Sequence, residues 1–102
     1  MQKVAVIWRL CGEELEVLRG RTDDTDVTAL LAFFDGETAT EYLSLSEELH
    51  EEGWGVAEVD LLALGAICCV YGVGYIALPT EPGLAGAVIG SALDMLDVLA
   101  AR

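Results

Sequence analysis

Four glutamates and the chain's single histidine lie within seven residues, Ser46–Glu52 (SEELHEE). On a helix, Glu47 would face Glu51 and Glu48 would face Glu52, and each like-charge pair costs about 0.2–0.5 kcal/mol. The last two carboxylates also stand at the C-terminal end of such a helix, where the helix dipole favours cations. Two interpretations stay open: a solvated face of an acidic protein, or a contact surface for a basic partner.

Metal and catalytic chemistry find little support in the residue types. The spacing Glu47-x-x-His50 resembles half of a carboxylate-bridged metal site, but such sites need two copies of the motif and further glutamates. Ser91, in the sequence IGSA, lacks the flanking pattern of a nucleophile elbow. No base and orienting residue can be assigned to accompany a nucleophile. We therefore predict no metal site, no catalytic residue and no enzyme activity.

A glycine motif resembles a cofactor-binding loop only superficially. Residues 72–77 (GVGYIA) match the G-x-G-x-x-A fingerprint of dinucleotide-binding folds, and Asp94 follows Gly74 by 20 residues. However, Pro79 interrupts the helix that should begin there, and the chain is short for a nucleotide-binding fold. We predict no cofactor, and we assign these glycines to a tight turn or a close helix approach.

The charge balance restricts the class of partner. The chain of 102 residues carries 18 acidic and five basic residues, a formal net charge of −13, yet 54% of its residues are hydrophobic. The hydrophobic content predicts a folded single domain over residues 1–102 rather than a disordered chain. Direct binding to nucleic acid or to anionic lipid is disfavoured, because both need clustered Lys and Arg.

Cysteine usage and the apolar segments indicate a cytoplasmic protein. Cys11, Cys68 and Cys69 are odd in number, and a bond between the adjacent pair would be strained, so we expect no disulfide. Cys68 and Cys69 should act as small hydrophobes. Arg9 interrupts the first apolar run after five residues, too early for a signal peptide.

One segment is long enough to cross a membrane. Leu61–Leu78 has no charged residue over 18 positions. It contains three glycines, and no Lys or Arg occurs between Arg21 and Arg102 to set its orientation. We predict that it forms the buried centre of the domain instead.

The patterning predicts an α+β fold in three parts. Residues 1–21 read as a β-hairpin with arms at 3–10 and 15–21. In the acidic segment 22–53, the run 27–34 fits a strand or a helix, and the Asp35–Gly36 turn favours a second hairpin with 37–45. Ser44 and Glu47 form a capping-box spacing for a short helix over 45–52 that ends at Gly53.

The third part, residues 54–102, reads as apolar and helical. We predict a helix over 56–71 that ends at Gly72, a loop marked by Pro79 and Pro82, and a helix over 84–101. These two helices should pack on a small antiparallel sheet. The stripe Gly86-x-x-x-Gly90 on the last helix would pack against the helix over 56–71, or alternatively form a homodimer seam.

Charge polarity suggests a function. The first 21 residues hold four basic and three acidic residues, whereas the rest hold 15 acidic residues and one arginine. We expect a small acidic inhibitor that covers a basic, nucleic-acid-binding surface of a protein or ribonucleoprotein. Anti-CRISPR and toxin-neutralising immunity proteins are similar in size and charge, although no motif is shared. The predicted partner-binding residues are Asp23, Asp24, Asp26, Glu47, Glu48, Glu51 and Glu52.

Two other hypotheses remain. The chain would be a homo-oligomeric structural or ligand-binding subunit without catalysis if residues 61–78 and the last helix are buried between copies. Alternatively, the acidity would be an adaptation to high salt and would say nothing about partners. Binding lost in moderate salt supports the inhibitor, concentration-dependent mass supports the oligomer, and folding only in molar salt supports the adaptation.

Overall fold

A computed structural model of the protein describes residues 3–21, 28–79 and 88–101. These residues form a mixed seven-stranded sheet with helices on both of its faces. In chain order the elements are β1 (Lys3–Cys11), β2 (Glu14–Val17), β3 (Arg19–Arg21), β4 (Thr28–Phe33), α1 (Gly36–Ser44), α2 (Glu47–Glu51), β5 (Gly55–Asp60), α3 (Leu61–Tyr71), β6 (Tyr75–Leu78), β7 (Val88–Ser91) and α4 (Ala92–Ala100).

The sheet confirms the predicted α+β class but is larger than expected. Its strand order is β2-β1-β4-β6-β7, with β3 beside β4 and β5 beside β1. All pairs are antiparallel except β4 and β6, which run parallel. A parallel pair needs a long crossover connection, so its partners are separated in the sequence and no local turn signal marks them.

The predicted N-terminal hairpin is present, and its second arm is divided between two strands. β2 pairs with β1, and β3 pairs with β4. Leu18 lies at the division: its N–H donates to the Ile7 carbonyl (2.8 Å), and its carbonyl accepts from the Leu31 N–H (3.2 Å). Leu18 thereby links β1 to β4, in addition to the direct pairing of these two strands.

Both faces of the central strands are buried, which explains their continuous apolar sequences. Along β1, Val4 and Val6 contribute to the core cluster on the α3–α4 side, whereas Ala5 and Ile7 contribute to the cluster on the α1 side. The same alternation along β4 buries all residues from 29 to 33. The helices therefore lie in two layers, α1 and α2 on one face and α3 and α4 on the other.

The predicted second hairpin is wrong, because the segment after β4 is helix α1. The Asp35 side chain accepts hydrogen bonds from the Thr38 N–H and hydroxyl, both at 2.8 Å. This N-cap starts a helix where the Asp35–Gly36 pair had indicated a tight turn. Ala39 and Leu43, four residues apart, then bury one face of α1 against the sheet.

The short acidic helix exists, but it starts later than predicted. Its N-cap is Ser46, whose hydroxyl accepts from the Leu49 N–H (3.4 Å). Ser44, the predicted cap, instead donates to the Glu41 carbonyl within α1 (2.8 Å). Glu52 is the C-cap of α2, and Gly53 follows with φ of 82°.

The predicted helix over 56–71 is wrong in its first part. Residues 55–60 form β5, which pairs with β1 along six positions. The Asp60 side chain then accepts from the Ala63 N–H (2.8 Å) and starts α3, which ends as predicted at Gly72 in the left-handed conformation. The segment 61–78 is thus a helix followed by a strand, and no helix in the described part of the chain is long and apolar enough to cross a membrane.

The predicted helix over 84–101 is also wrong before Ala92. Val88–Ser91 is strand β7, which pairs antiparallel with β6, and α4 begins only after Ser91. Gly90 therefore lies in a strand, where a side chain would meet the Met95 sulfur at 2.9 Å. Gly86 and Pro82 lie outside the described residues. The helical Gly86–Gly90 stripe, and a homodimer seam through it, thus lose their structural basis.

Candidate functional site

Negative charge is concentrated in one of the two helical layers. Residues 35–60 contain nine acidic residues and no Lys or Arg, whereas in the other layer α3 contains no charged residue and α4 carries two exposed aspartates, Asp94 and Asp97. We define the acidic layer as α1 and α2 with the exposed glutamates they carry: Glu37, Glu41, Glu47, Glu48, Glu51 and Glu52. The acidic residues predicted to bind a partner at positions 47–52 thus belong to a larger negative surface.

One apolar side chain fixes the direction in which α2 presents its carboxylates. Leu49 is partly buried and packs on the core cluster on the α1 side of the sheet. Trp54 packs on the same cluster, and its N–H donates to the Leu49 carbonyl (3.4 Å). With Leu49 turned inward, Glu47, Glu48 and Glu51 are exposed to solvent.

Glu52 differs from the other three because it belongs to a local network with Arg9, Glu16 and Trp54, which we call the Arg9 cluster. Glu52 Oε2 accepts from Arg9 Nη1 (3.3 Å) and from Trp54 Nε1 (2.8 Å). Arg9 Nε donates to Glu16 Oε2 (2.9 Å), and the guanidinium carbon lies 4.5 Å from the centroid of the Trp54 ring. Glu52 therefore holds the end of α2 against the N-terminal hairpin.

In the Arg9 cluster, the positive charge of Arg9 is already paired with two carboxylates. The hydrogen bond to Glu16, with the charges of Glu16 and Glu52, raises the pKa of Arg9 above its usual value. Two carboxylates around one guanidinium leave the cluster net negative. Arg9 is therefore balanced by Glu16 and Glu52 and forms no ion pair with Glu47, Glu48 or Glu51.

In the described part of the chain, Glu47, Glu48 and Glu51 have no such partner. Within the described residues, no Lys or Arg lies within 4.0 Å of these carboxylates. Glu47 and Glu51 line an open depression of about 440 Å³ together with Ser44 and His50. Their negative charge is therefore available to a molecule in solution.

The structure offers these side chains no metal-binding partner in the region that it describes. Across residues 3–21, 28–79 and 88–101, no three His, Cys, Asp or Glu side chains are grouped so that they could hold a metal ion. Glu47 and His50 lie three residues apart on α2, but they lack the further ligands that such a site requires.

Asp23, Asp24 and Asp26 lie outside the described residues. Of the predicted partner-binding set, the structure brings Glu47, Glu48 and Glu51 together as exposed carboxylates and assigns Glu52 to the Arg9 cluster. The contribution of Glu37 and Glu41 was missed, because the Asp35–Gly36 turn had indicated a hairpin strand over 37–45 in place of helix α1.

The three cysteines are free and differ in environment. Cys68 is buried in the core cluster on the α3–α4 side, and burial, together with Cys69, raises the pKa of its thiol. Burial likewise raises the pKa of Tyr42, which packs against Phe33. Cys69 and Cys11 are exposed. The small-hydrophobe interpretation therefore fits Cys68, whereas Cys69 faces outward.

No known protein-family model matches this sequence, and no curated protein is similar enough to it to indicate a family.

Proposed function

We propose that this protein inhibits a partner by covering a basic surface with its acidic layer. The observation that carries this proposal is that Glu47, Glu48 and Glu51 are exposed on a helix anchored by Leu49 and form no ion pair with any described residue. The neighbouring helix α1 adds the exposed Glu37 and Glu41. A rigid surface with one sign of charge accelerates encounter with an oppositely charged partner and suppresses other partners.

The chemistry of the partner follows from the density of carboxylates. Glutamates four residues apart on a helix have Cβ atoms about 5–6 Å from each other. Closely spaced anions of this kind are matched by clustered Lys and Arg, which proteins use to neutralise nucleic-acid phosphates. The proposed partner is therefore a protein or ribonucleoprotein with an exposed nucleic-acid-binding surface, and inhibition results from occupying that surface.

The Arg9 cluster refines the set of contact residues. Glu52 already accepts hydrogen bonds from Arg9 and Trp54, so a partner would have to replace them to use its charge. A partner that binds Glu47, Glu48 and Glu51 would not have to replace such hydrogen bonds. We therefore assign the contact to these three residues, and Glu52 serves to fix the helix that carries them.

The test begins with capture of a partner. The protein is immobilised, exposed to host lysate at low salt and eluted in a salt gradient. We expect a basic, nucleic-acid-binding protein to elute sharply, because screening shortens the Debye length to about 8 Å at physiological ionic strength. A partner that stays bound in high salt and carries no basic surface would contradict the proposal.

A matched pair of double variants then locates the contact. We expect Glu47→Gln with Glu51→Gln to weaken binding of the purified partner about tenfold, which corresponds to about 1.4 kcal/mol. The control, Glu13→Gln with Glu14→Gln, neutralises two exposed glutamates on the N-terminal hairpin and should change the Kd less than about twofold. An equal loss of affinity in both double variants would mean that binding depends on the net charge of the protein and not on the position of the glutamates.

A second candidate function is favoured by a different observation. The outer side of the apolar layer, α3 and α4, exposes large hydrophobic side chains. This supports the alternative of a homo-oligomeric structural or ligand-binding subunit without catalysis. The mass of the protein in solution tests this second candidate, because a mass of one chain at every protein concentration would contradict it.

A further inference from the structure

Helix α3 carries a second apolar stripe besides the one that it buries. Its sequence, LLALGAICCVY, contains no charged residue, and Leu64 and Cys68 are the positions that reach the core. Exposed residues recur on its outward side at the spacing i, i+4, i+7 and i+8, namely Leu62, Ala66, Cys69 and Val70. Positions with this spacing lie along one side of a helix, and an apolar stripe of this kind normally packs against another apolar surface.

An apolar groove of about 780 Å³ runs between this stripe and α4. α4 starts beside the end of α3, where the Ala92 N–H donates to the Gly74 carbonyl (2.8 Å). It then runs back along α3, so that the Leu96 side chain lies 3.5 Å from the place that a side-chain carbon on Gly65 would occupy. The groove therefore follows the axes of two adjacent helices of 11 and nine residues.

The walls of the groove favour a helix over a small ligand. Leu62 and Leu93 line the groove and are 84% and 78% exposed. A small molecule in the recess would leave most of their surface in water, whereas a helix laid along the groove covers both leucines and the recess together. Helices α3 and α4 run for roughly two to three turns, which is long enough to receive apolar anchors at i, i+3, i+4 and i+7 of a bound helix.

Charge determines the sign of the bound helix. Asp94 and Asp97 on α4 are exposed, and neither forms an ion pair with a described residue. Asp97 is a neighbour of the groove-lining Leu93 on the helix surface, because the two are four residues apart. The α4 edge of the groove is therefore negative, and the chain as a whole has a net charge of −13. A helix with Lys or Arg beside its apolar face is attracted here, whereas an acidic helix, a second copy of this chain and anionic lipid are repelled.

We propose that the groove between α3 and α4 binds a cationic amphipathic helix of another protein. The apolar face of that helix lies between Leu62 and Leu93, and its Lys or Arg side chains lie beside Asp94 and Asp97. Apolar burial supplies the affinity, and the charge pairs at the edge discriminate against other helices. The groove is on the other side of the sheet from the acidic layer, so this inference does not rest on the proposed function.

The first test uses a model peptide as the probe. A fluorescein-labelled peptide of about 14 residues, built from leucine and lysine with the leucines on one helical face, is titrated with the full chain and followed by fluorescence anisotropy. A peptide of the same composition with its leucines spread around the helix should bind about tenfold more weakly, as should a version with Glu in place of Lys. Equal binding of the two Leu/Lys peptides would mean that charge alone attracts them, which overturns the proposal.

Substitutions of exposed leucines then locate the bound peptide. Leu62→Ser with Leu93→Ser should weaken its binding about tenfold, because both side chains are covered only in the complex. The control is Leu45→Ser, at an exposed leucine that follows α1 on the other side of the sheet, and it should change the Kd less than about twofold. Circular dichroism checks that each variant is folded. An unchanged Kd in the folded groove variant, or an equal loss in the control, overturns the proposal.

Substitutions of carboxylates separate the groove from the acidic layer. Asp94→Asn with Asp97→Asn should weaken peptide binding about three- to fivefold and make it less sensitive to NaCl between about 0.05 and 0.3 M. Glu47→Gln with Glu51→Gln removes the same number of charges from the acidic layer and should change the Kd less than about twofold. The opposite result would place the peptide on the acidic layer and overturn the assignment to the groove.

Two native cysteines report where the peptide lies. Cys69 lines the groove, whereas Cys11 lies at the end of β1 in the hairpin, and both are exposed. A saturating amount of the amphipathic Leu/Lys peptide should slow alkylation of Cys69 by iodoacetamide about tenfold or more and leave Cys11 unchanged, because only Cys69 is covered in the complex. Slowing at both cysteines, or at neither, contradicts binding in the groove.

Other occupants of the groove give different results. If a second copy covers it, sedimentation equilibrium of the chain alone shows a mass that rises with concentration and that Leu62→Ser with Leu93→Ser returns to one chain. If neutral lipid covers it, the chain floats with phosphatidylcholine vesicles, and the same double variant does not. Either result overturns the assignment of the groove to a cationic helix.

Discussion

Neighbouring residues of the same type have different environments in this protein. Glu51 is a free carboxylate on α2, whereas Glu52 binds Arg9 and Trp54. Cys68 is buried in the core, whereas Cys69 is exposed. Successive positions on a helix point about 100° apart, so adjacent side chains face different surroundings. A role therefore has to be assigned residue by residue, even within a short motif.

The cysteine pair gives a prediction at this scale. Cys68→Ser places a hydroxyl in an apolar core cluster, and a buried polar group without a partner costs about 1–3 kcal/mol. We expect the free energy of unfolding, measured by urea denaturation, to fall by this amount. Cys69→Ser, the same exchange one residue later, should change it by less than about 0.5 kcal/mol. Equal effects would show that Cys68 is not packed as described.

At the scale of elements, each described helix begins at a side chain that accepts a backbone N–H. The four caps are Asp35, Ser46, Asp60 and Ser91, each bonded to the N–H three residues later. Two of these caps directly follow or end a strand, so they divide strand from helix where the hydrophobic pattern is continuous. The caps decide the boundaries of β5 and α3 and of β7 and α4.

Removing one such cap should have a defined cost. Asp60→Ala leaves the Ala63 N–H without its 2.8 Å acceptor at the start of α3, and we expect the free energy of unfolding to fall by about 1 kcal/mol. Asp60→Asn keeps a capping oxygen and should cost less than about half as much. If urea denaturation shows equal losses, the charge of Asp60, rather than the cap, is what stabilises α3.

At the scale of the whole molecule, most of the exposed acidic residues lie on one side of the sheet. The exposed apolar side chains of α3 and α4 lie on the other side, together with Asp94 and Asp97. The acidic layer contains three like-charge pairs at a spacing of four residues: Glu37 with Glu41, Glu47 with Glu51, and Glu48 with Glu52. Each pair destabilises its helix by about 0.2–0.5 kcal/mol at low salt. A surface that opposes stability in this way is consistent with selection for binding, and it makes stability depend on salt.

Raising NaCl from 0.02 to 0.5 M should therefore increase the free energy of unfolding by about 0.5–1 kcal/mol, because salt screens these pairs. The increase should be smaller in Glu47→Gln with Glu51→Gln than in the hairpin control Glu13→Gln with Glu14→Gln. Thermal denaturation at both salt concentrations measures it. A protein that folds only in molar salt would instead support the salt-adaptation hypothesis.

The sequence predicted the features that depend on local chemistry. Nearby residues were enough to predict the α+β class and the hairpin at the N-terminus. They also predicted the end of α3 at Gly72 and the exposure of Glu47, Glu48 and Glu51. The prediction that residues 61–78 form the buried centre of the domain holds only in part, because β6 is largely buried whereas Leu62 and Val70 on α3 are exposed. In each case a turn glycine, a charge run or a hydrophobic run acts within a few residues.

The tertiary structure alone decided which apolar segments are strands and what surrounds each carboxylate. In apolar runs such as 28–33 and 88–91, the spacing of hydrophobic residues does not distinguish a helix from a strand. These runs form strands because they pair with other segments of the chain. Glu52 is bound because Arg9, 43 residues away, lies beside it in the fold. The separation of acidic and apolar layers likewise requires a sheet between them. These features arise from contacts between residues that are distant in the sequence, so a local sequence pattern does not predict them.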